Sequence, residues 1–577
     1  MPETCGTGAP GEPFTFGLGP KKLALVATLL ACTPCFFIII LPLLIRYVGI
    51  FLGYLLVKKT EGRRTVLVAV MDEDNKSYIE KGESPELRST SSEEWEKVSA
   101  AGEAGTTKIK DKGKDWDGII GFFHPFCNAG GGGERVLWAA IRATQLQWPK
   151  AKCVVYTGDH EVTKDEIISR VKVGNPEEQI GRHQLTHLQS RFNIELHPPT
   201  VSFLYLTKRH WVLASTWPRF TLLGQSIGSL ILAGDAFSLL VPDIFIDTMG
   251  YAFSLGLCKF LFSRVATGAY VHYPTISTDM LESLDPNSPL GSRGVNAGQG
   301  AGLRGNVKKA YWHAFAMLYC WAGASIDVVM TNSTWTQAHI KKLWSPYRIE
   351  RDKRNPITAV YPPVAVEELE QEVDVSEASE KNSRQAVLLY IAQFRPEKNH
   401  QLIIQSFYEF LKTDTKAAKK AKLVLVGSVR DDQDSKRVYQ LRLMANELGI
   451  KDQIEFHLDA TWPEILDWLQ KASVGVNGMW NEHFGIGVVE YQAAGLISVV
   501  HDSGGPKLDI VVEVDGQPTG FHATTAAEFA AGYEKALSLE NPLEVRLRAR
   551  RSAKRFTEEE FAKKWVQETA RLVAMRS

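Results

Sequence analysis

At 577 residues the chain exceeds what one ordinary core supports, which points to two or three folded units joined by linkers. Its 66 basic and 66 acidic side chains cancel to a formal charge of +0, so no overall field draws it to nucleic acid. The seven cysteines are scattered, and the close pair Cys32 and Cys35 falls in an apolar run; this excludes a zinc knuckle or a disulfide framework and suits a reducing compartment.

After an N-terminal tail, 1–22, the stretch Leu23 to Ile45 is uncharged and almost wholly apolar. As a helix it would reach roughly 34 Å, enough for a bilayer core. A cleaved signal peptide fits less well, because the apolar core is too long and no small-residue cleavage site follows. Tyr47 to Val57 prolongs the run, so the expected transmembrane anchor is 23–57. Arg46, Lys58, Lys59, Arg63 and Arg64 follow it, against Lys21 and Lys22 before it, and the positive-inside rule therefore keeps the rest of the chain cytosolic. The sequons at Asn75 and Asn332 would then go unused. Residues 58–115, rich in Glu, Lys, Ser and Gly from Met71 onward, read as a disordered tether.

Short apolar runs then alternate with helical patterns: Gly118 to Phe123, Cys153 to Thr157, Ser202 to Leu206, Ile244 to Asp247, Ala269 to Tyr273 and Asp327 to Asn332. This is the rhythm of a parallel, doubly wound sheet and defines an N-terminal Rossmann-like domain over 116–355. Trp211 to Leu240 is either a buried helix of that domain or, given Trp211, Trp217 and Arg219 at its start, an interfacial patch that leans into a membrane. Leu284 to Asn306 is an insertion rich in Gly, Ser and Asn, and the acidic stretch Val366 to Gln385 has linker composition. The rhythm restarts at Ala386 to Ala392, Lys422 to Val426, Ile454 to His457, Val474 to Asn477 and Ile497 to His501, a second Rossmann-like domain over 356–545. Residues 546–577 are expected to form a C-terminal helix that packs back on the first domain. Two such units facing each other place the ligand in the cleft between them.

Three strings carry chemistry. In the first, Phe123 to Asn128 leads into Gly130, Gly131, Gly132, Gly133 and Glu134, directly after a strand and opening a helix. Glycine backbone can approach an anion closely and a helix N-terminus favours negative charge, so a phosphorylated group is expected here. The run lacks the dinucleotide G-x-G-x-x-G spacing, and no Walker lysine follows it. In the second, Gln393-Phe394-Arg395-Pro396-Glu397-Lys398 ends a strand, and Arg395 with Lys398 can neutralise a leaving diphosphate. The third, Asn481 to Gly495, sets Glu482 in a loop and Glu490 in the following helix, with Gly485 to Gly487 at the helix start suited to phosphate. Spacing alone lets one carboxylate reach sugar hydroxyls and the other ribose hydroxyls. The strings Asp72 to Asp74 and Asp115 to Asp117 lie in or beside the tether, and the paired cations already supply countercharge, so no metal is expected.

In that order on paired Rossmann-like halves, these elements resemble the retaining GT-B glycosyltransferases, from about Gly118 to the end. The runs at 123–138, 270–281, 331–336 and 393–400 resemble more closely the endoplasmic-reticulum alpha-1,2-mannosyltransferases of asparagine-linked glycosylation. The resemblance implies an α/β GT-B fold, two Rossmann-like domains facing a cleft, behind an N-terminal transmembrane helix. It implies transfer of mannose from GDP-mannose to dolichol-diphosphate oligosaccharide, in two successive additions that supply the fourth and fifth mannoses, on the cytosolic face of the endoplasmic reticulum. No cofactor or metal is implied. Other glycosyltransferases of the pathway are candidate partners. Glu482 would bind the donor mannose, Glu490 the ribose, Arg395 and Lys398 the diphosphate in a division left open, and His272 the sugar and the departing phosphate. Phe484, Gly485, Ile486, Gly131, Gly132 and Gly133 would complete the donor site. A related enzyme with another nucleotide sugar or another polyprenol-linked acceptor is the alternative.

Overall fold

The computed structural model describes residues 40–81, 115–172, 192–288, 290 and 302–576. The expected tail 1–22, most of the apolar run before Ile40, 82–114 and the middle of the Gly-rich insertion lie outside the described residues.

Seven parallel strands form the first sheet: β1 (Ile119–Phe123), β2 (Lys152–Thr157), β3 (Val201–Tyr205), β4 (Ile244–Asp247), β5 (Ala266–Val271), β6 (Val328–Thr331) and β7 (Thr358–Ala359), in the order β3-β2-β1-β4-β5-β6-β7. The second has six: β8 (Gln385–Ile391), β9 (Lys422–Gly427), β10 (Ile454–Leu458), β11 (Ala472–Asn477), β12 (Ile497–His501) and β13 (Gly520–Ala523), in the order β10-β9-β8-β11-β12-β13. Every residue of β1, β2, β4, β5, β6, β11 and β12 is buried, as continuous apolar strands must be when helices cover both faces. In each sheet the strand order reverses beside the first strand, between β1 and β4 and between β8 and β11. Loops that leave the carboxyl ends of those strands part there and open a crevice.

The helices used below are α1 (Leu41–Glu80), α2 (Gly132–Gln147), α3 (Thr221–Leu239), α4 (Ala252–Leu261), α5 (Gly302–Ala324), α6 (Thr334–Trp344), α7 (Ile486–Ala493) and α8 (Glu558–Ala574). One face of the first sheet is covered by α2 and α8, through Leu137, Ile141, Phe561 and Trp565. The other face is covered by α3, α4 and α5, through Phe237, Leu255 and Phe315. The C-terminal α8 thus belongs to the first domain's core, and its Trp565 Nε1 donates to Thr144 Oγ1 of α2 at 3.1 Å.

Two expectations are corrected, and a third segment is divided between its two readings. The chain does not become a tether at Lys58, because α1 continues to Glu80. Composition alone does not hold a helix there, but the first domain supplies partners. Arg63 donates to the Leu239 carbonyl at 2.9 Å, Asp72 pairs with Lys152 at 3.0 Å and Asn75 with His197 at 2.6 Å. Arg64 and Arg576 converge on Asp243. Burial would raise the Asp243 carboxyl, but the Ile119 amide and these arginines hold it below the usual carboxylate range. At Gly53 a Cβ would lie 2.1 Å from the Leu261 carbonyl, so glycine is what lets α1 meet α4. The second correction concerns the acidic linker, which folds into helices Val366–Glu372 and Glu377–Asn382 with Val366, Leu369 and Val373 buried. Its acids are held by the last third of the chain, Glu380 by Arg546 at 2.5 Å and Glu370 by Lys554 at 3.3 Å. Third, the Trp211 to Leu240 segment is divided: Leu232, Ala233, Ala236 and Phe237 of α3 are buried, whereas Phe220, Leu223 and Ile227 at its start are exposed.

Candidate active site

Both functional strings of the second domain leave its switch point. β8 ends at Ile391 and hands on to the loop that carries Arg395 and Lys398; β11 ends at Asn477 and hands on to the loop that carries Glu482. There Lys398 Nζ meets Glu482 Oε2 at 2.5 Å, both side chains largely shielded. The Lys398 loop is fixed from below, because the Tyr390 hydroxyl donates to the Lys398 carbonyl at 2.6 Å. The Glu482 loop is fixed by close backbone approach. Gly505 N donates to the Glu482 carbonyl at 2.7 Å, and a Cβ at Gly504 would lie 2.3 Å from that oxygen.

Arg395 does not join this pair. It stands 3.9 Å from Glu397, and its field helps hold the Asp434 carboxyl low, next after Arg430, which bonds that carboxylate directly. Gly485, at φ +109, caps α7, and the amides of Ile486 and Gly487 open that helix. Glu490 lies one turn further on; burial pushes its carboxyl up, and Arg135 of the first domain pulls the other way. Phe484 is not available to a donor as a side chain: it is buried, 5.8 Å from the Tyr361 ring and 5.3 Å from Phe556.

From the first domain, His272 follows β5. Burial lowers its pKa to about 4, against a hydrogen bond to the Thr248 backbone, so the ring is neutral near pH 7. Its Nε2 is buried without a hydrogen-bond partner and faces the glycine loop, where a Cβ at Gly133 would lie 3.6 Å away. His124 stands behind it, with Nδ1 2.7 Å from Thr248 Oγ1; burial and the nearby His272 lower its pKa to about 3. Gly132 faces the other domain, where a Cβ would come within 2.5 Å of the Ile486 δ-methyl. No atom would meet a Cβ at Gly131 within 4 Å.

The glycine loop is partly filled by the chain itself. The Glu134 carboxylate accepts from Ala129 N at 2.8 Å, from Gly131 N at 3.2 Å and from Gly130 N, so that of the expected donor glycines Gly131, Gly132 and Gly133 only Gly131 has its amide taken by it. Burial raises this carboxyl to about 7 while the three amides pull it down. A capping-box glutamate three residues into α2 thus fills the nest, and the loop is shaped by the chain itself.

Sequence reasoning missed the groups that join the two halves. His483, next to Glu482, stacks on Tyr273, next to His272, with ring centroids 4.0 Å apart, and Trp335 of α6 lies 5.4 Å from His483. Asn481 Nδ2 donates to Asp279 Oδ2 at 2.7 Å, and Thr334 Oγ1 to Asp509 Oδ1 at 2.7 Å. Burial takes the His483 pKa to about 4, so this ring also joins the cleft uncharged. The available signal was the run at 331–336 and the position of His483 inside the Glu482 string.

Two parallel Rossmann-like sheets, with a paired cation and carboxylate at the second switch point and an inward histidine from the first domain, define a GT-B glycosyltransferase. Solved structures agree on the fold. The chain is similar to alpha,alpha-trehalose 6-phosphate synthase from Burkholderia multivorans, with a TM-score of 0.54 at 13% identity, covering 80% of this chain and 100% of that one. It is likewise similar to sucrose-phosphate synthase from Thermosynechococcus elongatus, with a TM-score of 0.53 at 14% identity over 79% and 99% of the two chains. Residues 117–344 match the family described as ALG11 mannosyltransferase N-terminus, and 373–556 match glycosyl transferases group 1. A GDP-Man:Man(3)GlcNAc(2)-PP-Dol alpha-1,2-mannosyltransferase of Neurospora crassa is 66% identical over 544 residues, 93% of this chain and 94% of that protein. The Homo sapiens protein of that name is 43% identical over 446 residues, covering 77% and 85%. The chain belongs to this alpha-1,2-mannosyltransferase family.

Proposed function

We propose that the chain transfers mannose from GDP-mannose, with retention, to a dolichol-diphosphate-linked oligosaccharide, twice in succession, to supply its fourth and fifth mannoses. The observation that carries this reading is the Lys398–Glu482 pair at the second switch point, tied to the His272 side of the cleft by the His483–Tyr273 stack. Donor and acceptor are those in the names of the relatives.

The roles follow from charge and position. Lys398, with Arg395 on the outer side of the same loop, neutralises the diphosphate. Glu482, released from Lys398 by that anion, accepts from mannose hydroxyls, and Glu490 accepts from the ribose. His272 is neutral at working pH, so its free Nε2 meets the sugar as a dipole and adds no charge. None of the carboxylates is assigned as a nucleophile. The acceptor hydroxyl attacks the anomeric carbon on the face the diphosphate leaves, the bond to the phosphate oxygen breaks, and that oxygen takes the hydroxyl proton. Preorganised charge around the departing diphosphate is then the chief protein contribution. This reading needs no metal, and activity is expected to persist in EDTA.

The apolar start of α1 anchors the enzyme in the endoplasmic-reticulum membrane, with the basic flank and both domains in the cytosol. The test incubates the purified chain with GDP-mannose and a trimannosyl-chitobiosyl-diphosphate lipid. The expected product is two mannoses heavier and sensitive to an alpha-1,2-mannosidase. A product that stops at one mannose, or resists that enzyme, contradicts the corresponding part.

A further inference from the structure

Arg135 stands one turn into α2, beyond the glycine loop. Its place relative to the second domain follows from the contact at Gly132, where a Cβ would come within 2.5 Å of the Ile486 δ-methyl; the first turns of α2 and α7 meet there. Residues three and four apart share a helix face, which carries the contact one turn along both helices, from Gly132 to Arg135 and from Ile486 to Glu490. The Glu490 side chain runs back toward the meeting point, its Oε2 4.0 Å from where a Cβ at Gly487 would lie. A guanidinium of one domain and a carboxylate of the other therefore face each other across the domain junction.

The Arg135 Nε is buried without a hydrogen-bond partner, a costly state for a charged donor. Two more carboxylates share its field, Glu558 in the first turn of α8 and Glu367 in the helix Val366–Glu372, and the Glu558 Oε1 is likewise buried without a partner. Unpaired buried donors and acceptors are rare in a finished core and mark a place where groups rearrange or a ligand enters.

The cations that pack on α7 from its own domain are committed elsewhere. Arg550 and Arg384 donate to the Ala493 and Ala494 carbonyls at 2.7 and 2.6 Å, and Arg546 to the Gly495 carbonyl at 2.9 Å, all at the far end of the helix. Arg555 donates to the Asp509 carbonyl at 2.9 Å, Lys507 pairs with Asp502 at 2.9 Å and Lys398 with Glu482 at 2.5 Å. Of the other groups around α7, the Tyr491 hydroxyl accepts from Ile391 N at 2.7 Å, and the Asp509 carboxylate accepts from Thr334 and Tyr361. Burial raises the Glu490 carboxyl, Arg135 pulls it down and Glu368 adds to the rise.

We propose that Arg135 is a positioning residue for donor binding: it supplies the countercharge of Glu490 across the domain junction and so keeps that carboxylate charged and turned toward the ribose while α2 and α7 are in contact. This role rests on the reading of Glu490 as the ribose ligand. A charged carboxylate accepts from both ribose hydroxyls, whereas a protonated one keeps a proton of its own and loses acceptor capacity. Arg135 acts on the carboxylate and not on the ligand, and nucleotide affinity is thereby tied to the contact between the domains.

The test titrates GDP by calorimetry into the purified full chain and into Arg135→Met, Arg135→Lys, Glu490→Ala and the double variant Arg135→Met, Glu490→Ala, from about pH 6 to about pH 8. Without Arg135 the Glu490 carboxyl rises further and takes up its proton as the pH falls. Arg135→Met should therefore bind GDP several-fold more weakly than wild type at the lower pH, with a gap that narrows as the pH rises, and Arg135→Lys should close most of that gap. The double variant should bind GDP no more weakly than Glu490→Ala, because both changes remove one interaction. A gap of the same size at every pH, or losses that add in the double variant, overturns the role: Arg135 then supports the fold or meets the nucleotide itself. Wild-type affinity in Arg135→Met, with weakened binding in Glu490→Ala, overturns it and leaves the ribose reading standing. Unchanged GDP binding in Glu490→Ala overturns the ribose reading and this role with it. Circular dichroism checks folding, and if Arg135→Met fails to fold, Arg135→Gln, which keeps hydrogen-bond donors but no charge, takes its place in the same comparison.

Discussion

The two domains share a strand order and a switch point, yet they furnish that point in opposite ways. In the first, the loop after β1 is closed on itself: Glu134 takes the amides of Ala129, Gly130 and Gly131, and the glycines beyond present bare backbone to His272 and Ile486. In the second, the loops after β8 and β11 bring a cation and a carboxylate to one spot and leave them to each other. On the function proposed above, ligand charge goes to the second crevice, whereas the first supplies shape and neutral hydrogen-bonding groups. Glycine richness after a strand is thus not sufficient evidence for a phosphate site; what fills the nest decides.

If this division is right, Lys398→Ala should show the largest effect. Removing one preorganised positive group from a developing anion costs about 10²–10³-fold in kcat/KM, and steady-state kinetics with GDP-mannose should show a loss of that size. The corresponding change in the first domain is Glu134→Gln, which keeps the volume and removes one of the two acceptor oxygens. It should cost less, about 10²-fold at most through misplacement of the loop, and circular dichroism should report a stability loss of about 1–3 kcal/mol. A loss in Glu134→Gln as large as in Lys398→Ala would erase the contrast between the domains.

Much of this contrast was legible in the sequence, and the parts that were not share a physical cause. Eleven strands announce themselves as apolar runs between turn residues, whereas β7, two residues long, and β13, four residues with exposed His522, are too short and mixed to do so. Lys398 and Glu482 could be marked as candidates because charge in the loop after a strand is a local signal, and Glu490 because it lies in the helix which follows that loop. Tertiary facts were not local. The residues from Lys58 to Glu80 read as solvated chain until Leu239, Val241, Asp243 and Lys152 supply their partners. Phe484 sits among donor-loop residues in sequence but turns into the core beside Phe556. Glu134 was visible as a capping residue, yet nothing in one dimension says that a carboxylate three residues on will occupy the nest it helps to form.

On the first domain's side, pH dependence reports on His272. The His272 pKa is lowered in the folded state, from 6.5 to about 4, so between those values the unfolded chain binds the extra proton and the folded chain does not. Its contribution to stability is present above pH 6.5 and is lost as the pH falls toward 4. Relative to His272→Asn, the wild-type chain should therefore lose stability over that interval and run parallel to the variant above it, as read by denaturant titration at several pH values. Parallel curves throughout would mean that His272 is solvated and does not face the cleft as a neutral ring.

The smallest effect is expected at the strut between the domains. Asp279→Ala removes the acceptor of the Asn481 amide but leaves the His483–Tyr273 stack, so KM for GDP-mannose should rise by a factor of about 5, the equivalent of about 1 kcal/mol, with kcat little changed. A collapse of kcat would mean that this hydrogen bond alone sets the distance between the crevices.

Calorimetric titration of GDP into the wild-type, Glu490→Ala and Glu482→Ala proteins, with turnover measured on the same samples, separates a donor held by Glu490 and Lys398 from a sugar handled by Glu482. Glu490→Ala should weaken GDP binding, whereas Glu482→Ala should keep GDP affinity close to wild type and lose turnover. Loss of GDP binding in Glu482→Ala with unchanged binding in Glu490→Ala would contradict that division.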